Sequence, residues 1–104
     1  MSYRLSDKQL VKLVQLTSIS DIKRRFPDYS PSIRTMYRRL ELIRLNKPSE
    51  YKKDFRTYIL NQIPYGVTEQ EANAHIDKVT QEMLEELCTS IEREAEEYNQ
   101  RFNQ

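Results

Sequence analysis

A short basic segment of the chain has the residue types needed to bind a polyanion. Arg34, Arg38 and Arg39 stand close to the hydroxyl residues Ser32 and Thr35. The planar guanidinium group can donate paired hydrogen bonds to phosphate or to O6 and N7 of guanine, and a hydroxyl can reach bases or phosphate. This composition and spacing predict a surface that contacts nucleic acid.

A second pair of cations precedes this segment. Lys23 and Arg24 belong to an earlier predicted helix, where contacts with phosphate would position the protein without reading base sequence. The full set of predicted nucleic-acid-binding residues is Lys23, Arg24, Ser32, Arg34, Thr35, Arg38 and Arg39. The alternative interpretation is an ordinary solvated helix face, because arginine and lysine are good helix formers and common surface residues.

Catalytic and metal-binding chemistry have little support in the composition. The chain has one Gly, one Cys and one His, so neither a glycine-rich phosphate loop nor a cysteine or histidine metal motif is present. Cys88 has acidic neighbours and is expected to be a small buried apolar residue, and His75 has no partner histidine. We expect neither an enzyme nor a cofactor or metal ion.

Serine and proline signals divide the first part of the chain into helices. Ser6 with Gln9 and Ser18 with Asp21 are typical of helix N-termini, and they predict helices at about residues 7–16 and 19–26. Ser30 followed by Pro31 predicts a third helix over about residues 31–44, with Ser30 as its N-cap.

The remaining elements are less uniquely specified. Residues 47–63 have helical spacing of their apolar residues, which are Tyr51, Phe55, Tyr58 and Ile59. Ser49 is the expected cap of this helix, and a β-hairpin is the alternative. A long amphipathic helix is predicted after Thr68. Its apolar stripe rotates by about 100° along its length, so either the helix wraps a body whose contact side changes or it breaks near residues 88–90. The break is slightly favoured.

Residues 18–45 resemble the helix-turn-helix of DNA-binding domains, especially the winged-helix type. The segment reads SISDIKRRFPDYSPSIRTMYRRLELIRL: a short basic helix, a connection, and a helix that alternates apolar and basic residues. The resemblance implies that the second of these helices is a recognition helix placed in the major groove. The segment departs from the family pattern at residues 26–29, where a short turn containing Gly is usual, and no clear wing follows.

Charge is divided unevenly along the chain. Residues 1–56 hold 14 basic and 6 acidic residues (+8), whereas residues 57–104 hold 3 basic and 10 acidic residues (−7), which together give the net charge of +1. This division predicts a basic domain over residues 1–63 and an acidic association segment over residues 64–104, or one unit in which both parts pack together. The acidic half is a solubilising face, a dimer interface or a contact for the basic half. The predicted association residues are Leu84, Leu87, Ile91, Tyr98 and Phe102.

Together these features predict an all-α protein with short N-terminal helices in a helix-turn-helix-like arrangement, followed by a long and possibly broken helix. The predicted function is that of a small cytoplasmic regulator, for example of transcription, which binds double-stranded DNA as a homodimer. The alternative is a helical adaptor or inhibitor that contacts a protein partner and no nucleic acid. No stretch approaches the roughly 20 apolar residues of a membrane span, and no apolar leader is expected at the N-terminus.

Overall fold

Five helices account for most of the chain in the computed structural model, which describes residues 3–44 and 46–102. The helices are α1 (Asp7–Leu16), α2 (Ile19–Arg25), α3 (Ile33–Arg44), α4 (Pro48–Leu60) and α5 (Glu69–Phe102). No strand occurs among the described residues. The predicted all-α class, with short helices before one long helix, is confirmed.

The first two helices begin where their capping residues predict. The Ser6 side chain accepts a hydrogen bond from the Gln9 amide at 3.1 Å, and the Gln9 side chain accepts one from the Ser6 amide at 2.9 Å. At α2, the Ser18 hydroxyl accepts from the Asp21 amide at 3.2 Å. These local bonds satisfy N–H groups that have no partner within the helix, and they fix both helix starts.

The predicted start of α3 is wrong by two residues. Ser32, and not Ser30, accepts the hydrogen bond from the first turn, from the Thr35 amide at 3.2 Å. Ser30 is buried and its hydroxyl donates to the carbonyl of Phe26. The serine–proline pair therefore predicted the approximate start of the helix. Because the Ser30 hydroxyl is bonded to the end of α2, Ser32 caps α3 in its place.

The segment after residue 46 is helical, so the hairpin alternative is excluded for the described residues. Pro48 occupies the first turn of α4, where its missing N–H costs no hydrogen bond. The N-cap is Lys47, which makes no side-chain capping bond, so the proposed cap at Ser49 is wrong. Tyr51, whose spacing predicted a helical face, is fully buried.

Helix α5 is continuous, and the break favoured near residues 88–90 is wrong. The Thr89 hydroxyl donates back to the carbonyl of Glu85 at 2.9 Å and does not cap a new helix. The stripe rotates because the packing partner changes. Ile76 lies towards α4, which binds this end of α5 through Arg56, whereas Gln9 of α1 reaches Glu94 near the other end. A helix of 34 residues is about 51 Å long, close to the 56 Å length of the molecule.

Helix α1 is the centre of the fold. It contacts each of the other four helices, and its Leu10 and Leu13 side chains have no exposed surface. The core continues from these residues through Ile22 and Leu40 to Ile91 of α5. The proposed division at residue 63 therefore does not separate two cores, and the acidic helix packs with the basic helices as one unit.

Tyr51 joins α4 to α3 through a buried hydrogen bond. Its hydroxyl donates to the carbonyl of Leu40 at 2.8 Å, and the Arg44 guanidinium lies 5.0 Å from its ring centre. We expect Tyr51→Phe to lower the free energy of unfolding by about 1 kcal/mol, the usual net value of such a bond. Urea denaturation measures this, with Tyr58→Phe at a 60% exposed position as the matched control. An equal effect of the two variants would contradict the assignment.

Candidate nucleic-acid interface

Helix α3 has one buried side and one basic side. Met36 and Leu40 are fully buried against the other helices. Arg34 and Arg38 are exposed on the opposite side, about 6 Å apart along the helix axis. A recognition helix needs this arrangement, because one face must hold it on the domain while the other remains free for the groove.

The hydroxyl residues at the start of α3 are bound to each other. The Ser32 hydroxyl donates to the Thr35 hydroxyl at 2.8 Å while it accepts from the Thr35 amide. Both residues are exposed at the first turn, the part of a recognition helix that approaches base edges most closely. In the structure these two residues form the cap of α3. Because both are exposed, they remain part of the candidate interface.

The other predicted cations have structural partners. The Lys23 ammonium donates to the carbonyl of Ser30 at 3.2 Å, and it therefore ties α2 to the connection before α3. Arg39 forms an ion pair with Asp7, with 2.7 Å between Nε and Oδ1, and this pair fastens α3 to the start of α1. Lys23 and Arg39 thus position α3 through contacts within the chain.

The connection between α2 and α3 is held by the core and needs no glycine. Phe26 is buried, and its carbonyl accepts from the amide of Ser30 at 3.0 Å. The Leu5 amide donates to the carbonyl of Tyr29 at 3.1 Å, and Tyr3 meets the Tyr29 ring edge-on at 5.1 Å. Burial is the largest cause that raises the pKa of Tyr29, to about 12. The connection between α2 and α3 is therefore longer than a short glycine turn, and its contacts with the core hold it in place.

Arg4 belongs to the candidate interface, although no sequence pattern predicted it. The backbone contact of Leu5 with Tyr29 brings Arg4 to a polar hollow of about 400 Å³ beside the start of α3. Thr35 and Arg39 line the same hollow. Arg4 is exposed and adds a cation that is distant from α3 along the chain. Only the tertiary structure reveals this proximity.

Arg24 lies at the outer side of α2 in a network around Asp21. Its Nε donates to the Asp21 carboxylate at 3.1 Å, and Arg25 and Thr17 donate to the same group at 2.6 and 2.8 Å. Burial alone raises the pKa of Asp21, but the hydrogen bonds from Arg25, Thr17 and Arg24 outweigh it and lower this pKa to about 2. Arg24 is exposed, and its charge is partly neutralised by the ion pair with Asp21.

This network predicts a stability that depends on pH. Because the folded pKa of Asp21 is below the usual 3.8, its ionised form stabilises the fold above about pH 4, and this contribution is lost as the pH falls towards 2. We expect Asp21→Asn to cost about 1–2 kcal/mol at pH 7 and much less at pH 2. Urea denaturation at both pH values measures the difference. Asp54→Asn on α4, an exposed position, is the control, and a loss for Asp21→Asn that is independent of pH would contradict the network.

The predicted association residues divide into two groups. Leu84 and Ile91 are 4% and 1% exposed within the chain itself, so a surface for a second copy does not include them. This part of the prediction is wrong, because α1 and its neighbours already cover that side of α5. Leu87 and Tyr98 are half-buried, and Tyr98 packs against Tyr3 with 5.6 Å between ring centres. Phe102 is 52% exposed.

Catalytic and metal-binding features are scarce in the described part of the chain. Cys88 is buried, as expected, and burial is the largest cause that raises the pKa of its thiol. Within residues 3–44 and 46–102, no three His, Cys, Asp or Glu side chains come together in a way that could hold a metal ion. None of the five helices combines the length and the apolar character needed to cross a bilayer.

Known proteins give no further guide to the role of this surface. No protein-family model, no curated protein and no solved structure matches the chain. The assignment of the candidate interface therefore depends on the geometry of α2, α3 and the hollow that contains Arg4.

Proposed function

We propose that the protein binds duplex DNA through the outer face of α3, in the manner of a helix-turn-helix. The observation that carries the proposal is that Arg34 and Arg38 are both exposed and without partners in the part of the chain that the structure describes. Both are exposed one turn apart, and neither has an ion pair or side-chain hydrogen bond among the described residues. Two free guanidinium groups on a helix held rigidly from behind suit bidentate contacts with guanine.

The residues around this pair have supporting roles in the proposal. The first turn of α3, with Ser32 and Thr35, enters the major groove and approaches base edges. Arg4 at the polar hollow beside α3 and the exposed Arg24 of α2 contact phosphates. Lys23 and Arg39 are assigned to positioning, because their partners within the chain hold the connection and the helix in place.

The proposed activity is regulation by occupation of a DNA site, with two copies placing two α3 helices on one duplex. A two-fold dimer reads half-sites about one helical turn apart. The protein supplies no catalytic step in this role. It acts by excluding or recruiting other proteins at the site it covers.

Fluorescence anisotropy of a labelled duplex, measured across a range of salt concentrations, tests the proposal. Counterion release makes the logarithm of the affinity fall linearly with the logarithm of salt concentration, with a slope near −0.9 for each phosphate contacted. We expect a slope of about −4 for the dimer, since Arg4 and Arg24 of each copy contact phosphates and make four contacts in all. A single strand of the same length is the comparator and should bind more weakly. No binding of the duplex at low salt would contradict the proposal.

One feature of the same face favours a protein partner as the second candidate. Leu42 is 70% exposed and lies one turn beyond Arg38 on α3. An exposed leucine beside arginines fits an apolar and acidic protein surface, and it also fits the methyl group of thymine. If no salt-dependent binding to the duplex is found, the adaptor or inhibitor role becomes the better explanation.

A further inference from the structure

An apolar depression lies where α5 borders its connection with α4. It encloses about 380 Å³ and has Ile63, Val67 and Val79 among its lining residues. Ile63 and Val79 are half-buried, and Val67 is 39% exposed. The depression is thus an apolar site that the chain itself leaves partly uncovered.

Charged residues continue from this depression along the same side of α5. Glu82 and Glu86 follow Val79 by about 4.5 and 10.5 Å along the helix axis, at about 60° and 20° from it around the axis. Both carboxylates are exposed, and neither has an ion pair or a hydrogen bond among the described residues. Lys78 is exposed about 100° from Val79, on the same side as the two carboxylates. We call these four residues the α5 strip.

The outer face of α3 has the complementary residues. Leu42 is 70% exposed. Arg38 and Arg34 precede it by about 6 and 12 Å along the axis, at about 40° and 80° from it, both to one side. Glu41 lies about 100° from Leu42 on that same side, and all four residues are exposed. An apolar side chain is thus followed by two cations and flanked by one carboxylate, which is the reverse of the charge order in the α5 strip.

The two surfaces match when the helices are antiparallel and Leu42 lies over Val79. Side chains that are displaced in the same rotational sense on their own helices then come to the same side of the contact. Arg38 lies within about 2 Å of the level of Glu82 along the axes, whereas a parallel arrangement would separate these two levels by about 10 Å. The opposite charges that meet are Arg38 with Glu82, Arg34 with Glu86, and Glu41 with Lys78.

We propose that the α5 strip binds the outer face of α3 from a second copy of the chain. Leu42 enters the open side of the apolar depression, and the three pairs of opposite charge fix the antiparallel orientation. The contact does not form within one chain, because Met36 and Leu40 hold the other side of α3 against the core. Since it joins two different surfaces, the copies associate head to tail.

This contact covers the α3 face that is proposed above to bind DNA. A copy held in this way cannot place α3 in the major groove, so association and DNA binding exclude each other. That consequence rests on the proposed function. The contact itself requires no DNA, and it is tested without DNA, so its failure is distinguishable from a failure of the proposed function.

Sedimentation velocity of the full chain tests the proposal through a charge exchange. Wild type is expected to associate reversibly, and more weakly at high salt. Arg34→Glu/Arg38→Glu and Glu82→Arg/Glu86→Arg are each expected to weaken association at least tenfold, because each places like charges opposite one another. An equimolar mixture of the two variants should associate again, since the reversed α3 face of one fits the reversed α5 strip of the other.

Controls separate this contact from a general attraction between proteins of opposite charge. Glu96→Arg/Glu97→Arg makes the same change in net charge at exposed positions beyond the α5 strip. It should not restore association when it is mixed with Arg34→Glu/Arg38→Glu.

A neutral substitution tests the apolar part of the contact. Leu42→Ala should weaken association at least threefold, whereas Leu60→Ala, at a 50% exposed position on α4, should associate like wild type. Circular dichroism checks that each variant is folded. A monomeric wild type at the highest attainable concentration would overturn the proposal, and so would a charge-exchange mixture that associates no more than its components or no more than the control mixture.

Discussion

Ile91→Ala is expected to lower the free energy of unfolding of the whole chain by about 2–5 kcal/mol. Ile91 is 1% exposed and belongs to the same core cluster as Leu10 and Leu13 of α1. Shortening it leaves a cavity at the contact between α5 and the basic helices, and the cost of such a cavity adds to the lost burial of the methyl groups. Because a domain of this size is stabilised by only about 5–15 kcal/mol, the change is a large share of the total.

The result distinguishes an integrated α5 from an independent association segment. Ser90→Ala, at the exposed neighbouring position, is the control and should shift stability by no more than about 0.5 kcal/mol. Thermal unfolding followed by far- and near-ultraviolet circular dichroism should show one transition that moves to lower temperature in Ile91→Ala. If α1–α4 unfold as in wild type while only α5 unfolds at a lower temperature, α5 does not unfold together with the other helices. That result would contradict the single shared core.

The double substitution Arg34→Ala/Arg38→Ala is expected to have the largest effect on the proposed activity. Each bidentate contact with a base contributes about 1–3 kcal/mol, so the pair should cost about 2–6 kcal/mol of binding, or at least a 30-fold loss of affinity. Stability should remain within about 0.5 kcal/mol of wild type, because both side chains are exposed and without partners among the described residues. Anisotropy titration and urea denaturation measure the two quantities.

Lys78→Ala/Arg93→Ala removes the same charge from exposed positions on α5 and is the matched control. It should bind DNA nearly as tightly as wild type, apart from a small long-range effect that salt screens. Equal losses in the two double variants would mean that net charge, and not the α3 face, determines binding. Unchanged affinity in the α3 variant would remove the recognition helix from the proposal.

The local part of the fold could be predicted because it is encoded within one turn. Ser6 with Gln9 fixes the start of α1 through bonds that close over three residues, and Ser18 with Asp21 does the same for α2. The alternation of apolar and basic residues likewise predicted the helix α3, whose Met36 and Leu40 side chains are buried. Capping residues and apolar spacing act within one or two helical turns, so they depend little on the rest of the molecule.

The predictions that failed depended on contacts between distant parts of the chain. Ser30 has the sequence signature of a cap, but its burial beside Phe26 gives the role to Ser32. The stripe of α5 fits a break as well as a change of packing partner, and only the position of α1 decides between them. Ile91 was assigned to association because a sequence does not show which neighbour covers an apolar side chain.

The candidate site, like the fold, could be predicted from the sequence only in part. Arg34 and Arg38 could be identified from their spacing on one helix face. Arg39 differs from them because it is bonded to Asp7, which is 32 residues away in the sequence. Arg4 is brought to the site by the contact of Leu5 with Tyr29. Partners at such separations leave no pattern in one sequence, so a cation that holds the fold looks the same as one that is free to bind.

A backbone amide NMR titration of the full chain with duplex DNA tests the central claim most directly, because it locates the bound surface without any substitution. We predict that the largest chemical-shift changes cluster at residues 32–42, in α3 and its cap. Smaller changes are expected near Arg4 and Arg24, and none on the outer face of α5. Binding accompanied by unchanged α3 amides, with the shifts elsewhere on the molecule, would contradict it.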